Sequence, residues 1–178
     1  MTEELDSGQP ERILLSTRKE YLDALERIAG LARRELRIFD ADFFYLKIDT
    51  PRTHQLLREF LLRERDNRLY IAVHDTEYIR NDCPRLLDLL RQFSERMFIH
   101  QTQDDAARAQ DSFVLADQLH FVRRPVQAQP RAVLRLNDEA ESHSIYLRFS
   151  EIWDSSIPAI AATTSGQSCN VAPKASII

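Results

Sequence analysis

The sequence has 178 residues, the length of one domain with its own hydrophobic core rather than of two. Its apolar share of 43% and charged share of 29% are those of a folded water-soluble chain, and a membrane insertion is excluded because no run reaches the ~18 apolar residues a span needs. A net charge of −4 speaks against wholesale nucleic-acid binding.

Residues 1–11 read as a polar, disordered tail, and the acidic character of Met1 to Pro10 predicts no secretory signal. Arg12-Ile13-Leu14-Leu15-Ser16 has the pattern of a short strand. Thr17, with Glu20 three residues on, forms a capping box that predicts a helix, along which Tyr21, Leu22, Leu25, Ile28, Ala29 and Ala32 recur at helical spacing. Leu36-Arg37-Ile38-Phe39 predicts a second strand, ending in the polar Asp40-Ala41-Asp42. Thr50 before Pro51 predicts a helix start, with Leu56, Leu57, Phe60 and Leu61 as its buried stripe.

Leu69-Tyr70-Ile71-Ala72-Val73 is almost continuously apolar, as a strand covered on both faces must be, and His74-Asp75 closes it. A third helix is predicted from Pro84 through Phe93, then a strand Met97-Phe98-Ile99 ending at His100. After the polar stretch from Gln101 to Asp111, Ser112–Ala116 and His120–Arg123 flank Asp117-Gln118 as a hairpin. Ala132–Leu136 adds a strand, and Asn137 or Asp138 caps a last helix carrying Ile145, Leu147, Phe149, Ile152 and Trp153. Residues 158–178 lack periodicity and read as a disordered tail, which leaves a single domain over 12–157. Strands that alternate with helices and end in a hairpin predict an α/β fold with a mixed, mostly parallel sheet flanked by helices.

That order of elements resembles one repeat of the phospholipase D superfamily over Arg12 to Ser156. Two segments carry the likeness: Ser112-Phe113-Val114-Leu115-Ala116-Asp117, similar to the signature strand, and Phe149-Ser150-Glu151-Ile152-Trp153-Asp154-Ser155-Ser156, similar to the closing helix. The family signature is His-x-Lys-x4-Asp. With its aspartate at Asp117, Gln110 stands in the histidine's place and Ser112 in the lysine's. The resemblance implies that the histidine attacks phosphorus and the lysine holds phosphate oxygens. An amide has no basic nitrogen lone pair near neutrality, and serine removes a full positive charge. The expectation is a pseudoenzyme with no catalytic residue, metal or cofactor, serving as a binding or dimerisation module. Because the chain holds one repeat, the resemblance also implies a homodimer.

Of the 24 basic residues 21 are arginines, the better fork for phosphate if they cluster, although a GC-rich genome gives the same bias. Arg123 and Arg124, with Arg131 and Arg135 nearby, are candidates for a basic rim that binds a phosphate-bearing ligand or nucleic acid, and His120 lies beside them. A rival reading is a hydrolase with a rebuilt or metal-dependent site at the strand ends, where Asp40, Asp42, His74, Asp75 and His100 gather the right residue types without any tight spacing. Polar residues also end strands simply because the chain enters water there. A protein–protein interaction module is the third reading. Asp117 is equally what hairpin turn chemistry favours, and Trp153 with Phe149 reads as core. Cys83 and Cys169 stand too far apart to suggest a disulfide framework or a zinc pair, which fits the cytoplasm.

Overall fold

In the computed structural model, which describes residues 8–162, eight strands form one sheet with helices on both faces. The elements run β1 (Glu11–Leu15), α1 (Arg18–Leu31), β2 (Glu35–Asp40), α2 (Pro51–Arg63), β3 (Arg68–Val73), α3 (Glu77–Asp82), α4 (Pro84–Gln92), β4 (Met97–Thr102), β5 (Ser112–Ala116), β6 (His120–Arg124), β7 (Ala132–Leu136), α5 (Glu139–Asp154) and β8 (Ser156–Ile160). Across the sheet the order is β1-β7-β6-β5-β2-β3-β4-β8. The mixed α/β sheet forms as expected. Parallel pairing is confined to β2, β3 and β4, because after β4 the chain returns through antiparallel neighbours rather than helical crossovers.

Local chemistry starts the helices where the sequence places their caps. Thr17 Oγ1 accepts the Glu20 N–H at 3.2 Å while Glu20 accepts the Thr17 N–H at 3.0 Å. Thr50 Oγ1 accepts the Thr53 N–H at 3.0 Å with Pro51 in the first turn, and Asp138 accepts the Glu141 N–H at 3.2 Å. Asp117 and Gln118 hold φ of 53° and 54°, the left-handed pair of a tight hairpin turn that Leu119 N–H to Ala116 O closes at 3.0 Å.

Period-two alternation divides the core. Ile38, Val114 and Val122 join the helices α1 and α2, while Phe39, Phe113 and Phe121 meet Ile145, Phe149 and Ile152 of α5 on the other face. The register pairs Phe39 with Phe113 and Ser112 with Arg124, so β5 begins and β6 ends beside the carboxyl end of β2.

Four features differ from the expectations. Helix α3 buries only Ile79 and carries no apolar stripe by which periodicity reveals a helix. Strand β8 runs through the predicted boundary at 158 to Ile160 and pairs with β4 as an edge strand, a place that tolerates Pro158. Strand β1 takes in Glu11, the last residue of the expected tail. Leu147 is 49% exposed on the outer side of α5 instead of buried with Phe149. Residues 1–7 and 163–178, with Cys169 and most of the expected tails, lie outside the described residues. Among the described residues no helix is long and apolar enough to cross a membrane.

Candidate anion-binding site

Strand β5 holds the two ends of the signature apart. Five residues of extended chain span roughly 16 Å, so Ser112 stands at the carboxyl end of β2 and Asp117 at its amino end. Both Asp117 carboxylate oxygens are taken by main-chain N–H groups, from Arg33 at 2.6 Å, Arg34 at 2.8 Å and Glu35 at 2.9 Å. Asp117 therefore ties the hairpin turn to the α1–β2 connection.

At the opposite end, Gln110 is exposed and its carbonyl accepts the Gln127 N–H at 2.7 Å. Ser112 is fully buried, and Arg124 on the adjacent strand donates Nε to its hydroxyl at 3.1 Å. Nη2 of the same guanidinium reaches Asp40 Oδ1 at 3.4 Å. The guanidinium carbon lies 4.1 Å from the centroid of the Tyr45 ring and 5.4 Å from that of Tyr21. Burial pushes the Asp40 carboxyl above its ordinary range despite Arg124, and burial followed by the Asp40 charge pushes the Tyr21 phenol up. The expected rim of Arg123 and Arg124 is thus split: neighbours on a strand point to opposite faces, and only Arg123 reaches the surface.

Arg123 belongs to a second cluster. Arg148 of α5 grips the buried Asp111 carboxylate with Nε at 2.7 Å and Nη2 at 2.6 Å, and Arg123 adds Nε at 3.1 Å. Burial pushes Asp111 up, but the hydrogen bonds and charges of Arg148 and then Arg123 outweigh it and hold the carboxyl below its ordinary range. Two partly exposed guanidiniums thus share one buried carboxylate beside Gln110, and the Glu151 charge also acts on Arg148. Sequence reading missed Asp111 and Arg148, which lie 37 residues apart. The available signal was an arginine adjacent to Phe149, at the margin of the helix's buried stripe.

The other candidates are dispersed. His120 packs at the far end of the hairpin, where Nδ1 accepts the Asn137 N–H at 3.0 Å and burial lowers its pKa, so it does not join Arg123. Arg135 pairs with Asp138 at 2.9 Å, and Arg131 is exposed. The rebuilt site is not assembled. Asp40 faces α1, whereas Ala72 and Phe39, which pack beside the two histidines, face α5. Nε2 of His74 donates to Ala109 O at 2.7 Å, so Nδ1 accepts from the Thr102 hydroxyl at 2.6 Å and neither nitrogen is free. His100 stacks on Trp153 with ring centroids 3.7 Å apart, and burial lowers its pKa. Asp42 and Asp75 each accept a nearby main-chain N–H, from Phe44 at 2.9 Å and Glu77 at 2.7 Å. Among the described residues no group of three or more His, Cys, Asp and Glu is placed to hold a metal ion.

A family model described as "Domain of unknown function (DUF7931)" matches residues 17–162. The chain belongs to this family. The DUF7931 domain has a phospholipase D-like fold. It is similar to Nuc from Salmonella typhimurium, a phospholipase D family member, with a TM-score of 0.60 at 11% identity over 85% of this chain and 99% of that one. NucT from Helicobacter pylori gives a TM-score of 0.55 at 10% identity over 85% and 100%. TrmBL2, an archaeal chromatin protein with a novel mode of DNA binding, gives 0.61 at 10% identity over 89% of this chain. The DUF7931 chain spans 57% of the length of TrmBL2. No curated protein matches the sequence.

Proposed function

We propose that this DUF7931 domain is a non-catalytic phospholipase D-like module that binds a phosphate-bearing ligand, a nucleic acid above all, and acts as a homodimer. One observation carries the reading: at the histidine place the exposed Gln110 offers only an amide, and at the lysine place Ser112 is sealed beneath Arg124. Covalent phosphoryl transfer needs a basic nitrogen there, and an amide nitrogen is neither basic nor nucleophilic.

Binding without cleavage asks less of the same end of the sheet. Arg123 and Arg148 present N–H groups beyond those Asp111 occupies, and a guanidinium fork suits phosphate oxygens. TrmBL2, which shares the fold, is described as binding DNA, and that likeness favours nucleic acid among phosphate-bearing ligands. A two-fold pair of chains would bring a second Arg123–Arg148 cluster to the ligand.

Fluorescence anisotropy with labelled DNA and RNA at rising salt tests the reading. Binding that weakens with salt, and weakens further in Arg123→Gln, supports it. No binding to either polymer at low salt overturns it, and sedimentation at a single-chain mass removes the dimer.

A further inference from the structure

Arg124 is the largest fully buried side chain among the described residues, and its hydrogen bonding is incomplete. A guanidinium carries five N–H donors. Nε serves Ser112 and Nη2 makes a long contact with Asp40, while Nη1 has no partner among the described residues. A charged donor left unsatisfied in the interior is costly, so Nη1 is a strong claimant for any anionic oxygen that can reach it.

The Tyr45 ring covers the guanidinium. Tyr45 lies in the connection between β2 and α2, half-buried, with its ring over the guanidinium at 4.1 Å. In the same connection Phe43 and Lys47 hold φ of 67° and 48°, a region that bulky side chains rarely adopt. The connection is pinned at its start by the Asp40 and Asp42 carboxylates, which accept the N–H groups of Phe43 at 3.2 Å and Phe44 at 2.9 Å. Phe43, Leu46 and Ile48 anchor the connection in the core and the Lys47 N–H donates to Phe43 O at 2.8 Å, so the half-buried Tyr45 side chain is the part that turns aside, by rotation about its own bonds with the main chain in place.

We propose that Arg124 and Ser112 form a binding site for a single phosphate group, and that Tyr45 is its displaceable cap. With the ring displaced, the phosphate oxygens accept from Nη1 and from the Ser112 hydroxyl, which turns to them from the Tyr21 phenol, replacing the cation–π contact with charge-assisted hydrogen bonds. Arg124 meets the charge of Asp40, with Asp42 close by, on one face of the sheet, and Arg123 and Arg148 meet Asp111 and Glu151 on the other, so the site rests on the unpaired Nη1 donor rather than on an excess of positive charge. The inference rests on the proposed phosphate-binding role of this end of the sheet. One guanidinium addresses one phosphate, either free inorganic phosphate or the terminal phosphate of a chain.

Calorimetric titration of the full chain with inorganic phosphate tests the cap. Removing a cap raises the binding-competent fraction, so Tyr45→Ala should bind about 3- to 10-fold tighter than the parent. Because a variant at the buried Arg124 risks unfolding, the Arg124 Nε–H resonance in the parent and in Tyr45→Ala supplies the second readout, and it should shift at saturating phosphate. The proposal is overturned if Tyr45→Ala binds no tighter than the parent, or if the Arg124 resonance stays in place. Oligonucleotides with and without a terminal phosphate distinguish the sources. A Tyr45-dependent preference for the phosphorylated end assigns the site to terminal phosphates, and tightening toward inorganic phosphate alone assigns it to the free ion. Arg123→Gln weakens polymer binding under the proposed function but leaves the Tyr45 effect on inorganic phosphate intact, so the two ideas fail separately.

Discussion

Asp117 accepts the main-chain N–H of Arg33 at 2.6 Å, joining residues 84 apart in sequence. With Arg34 and Glu35 also bonded, one carboxylate organises the entry to β2 from the far end of β5. Asp117→Ala strands three donors at a partly exposed position and should cost about 1–3 kcal/mol of stability. Asp117→Asn keeps one acceptor oxygen and tolerates the positive φ, so it should cost less. Chemical denaturation ranks the two, and nucleic-acid binding should be unchanged in both.

Arg148 is the stronger partner of Asp111, and its side chain is 37% exposed. Arg148→Met leaves a buried carboxylate with Arg123 alone. A loss of about 1–3 kcal/mol is expected after allowance for solvent screening of the arginine. Adding Asp111→Asn to Arg148→Met should recover part of that loss, a coupling that a double-mutant cycle reads directly.

Stability should depend on pH through groups that pull in opposite directions. His100 and His120 are held low by burial, so the unfolded chain takes up protons first and stability falls as pH drops below about 6.5. For His120 the cause is specific, because protonated Nδ1 can no longer accept the Asn137 N–H. Denaturation midpoints between pH 7 and 5 should decline in the parent and decline less in a variant with His100→Phe and His120→Asn.

The two buried aspartates act at lower pH. Asp111 is held low, so its contribution is present above the ordinary carboxylate range and is lost as pH falls through that range. Asp40 is held high, so protonation favours the folded chain and offsets part of that loss. In acid, Asp40→Asn should remove the offset and make the parent's decline steeper, measured by the same titration.

The sequence made the fold legible where local chemistry is self-sufficient. The Thr17–Glu20 box, Thr50 before Pro51 and the Asp117-Gln118 turn each act within a few residues, so pattern alone locates them. Helix α3 escaped because it buries only Ile79, and β8 because Pro158 argues against a strand unless the edge position is known. The candidate site was less legible. Arg123-Arg124 looks like one basic patch until alternation and the Ser112 pairing send the second arginine inward. Asp111 looks like a loop residue until α5 delivers Arg148 to it. Gln110 and Ser112 stand out only through the signature, and Asp117 lies in the turn that its residue type favours.

Turnover of a chromogenic phosphodiester by the purified chain, followed by intact-mass analysis after acid quench, reports directly on whether the Gln110–Ser112 end can perform phosphoryl transfer. The expected result is release at the buffer rate and an unmodified mass. Sustained release, with a phosphoryl adduct on any side chain, would contradict it.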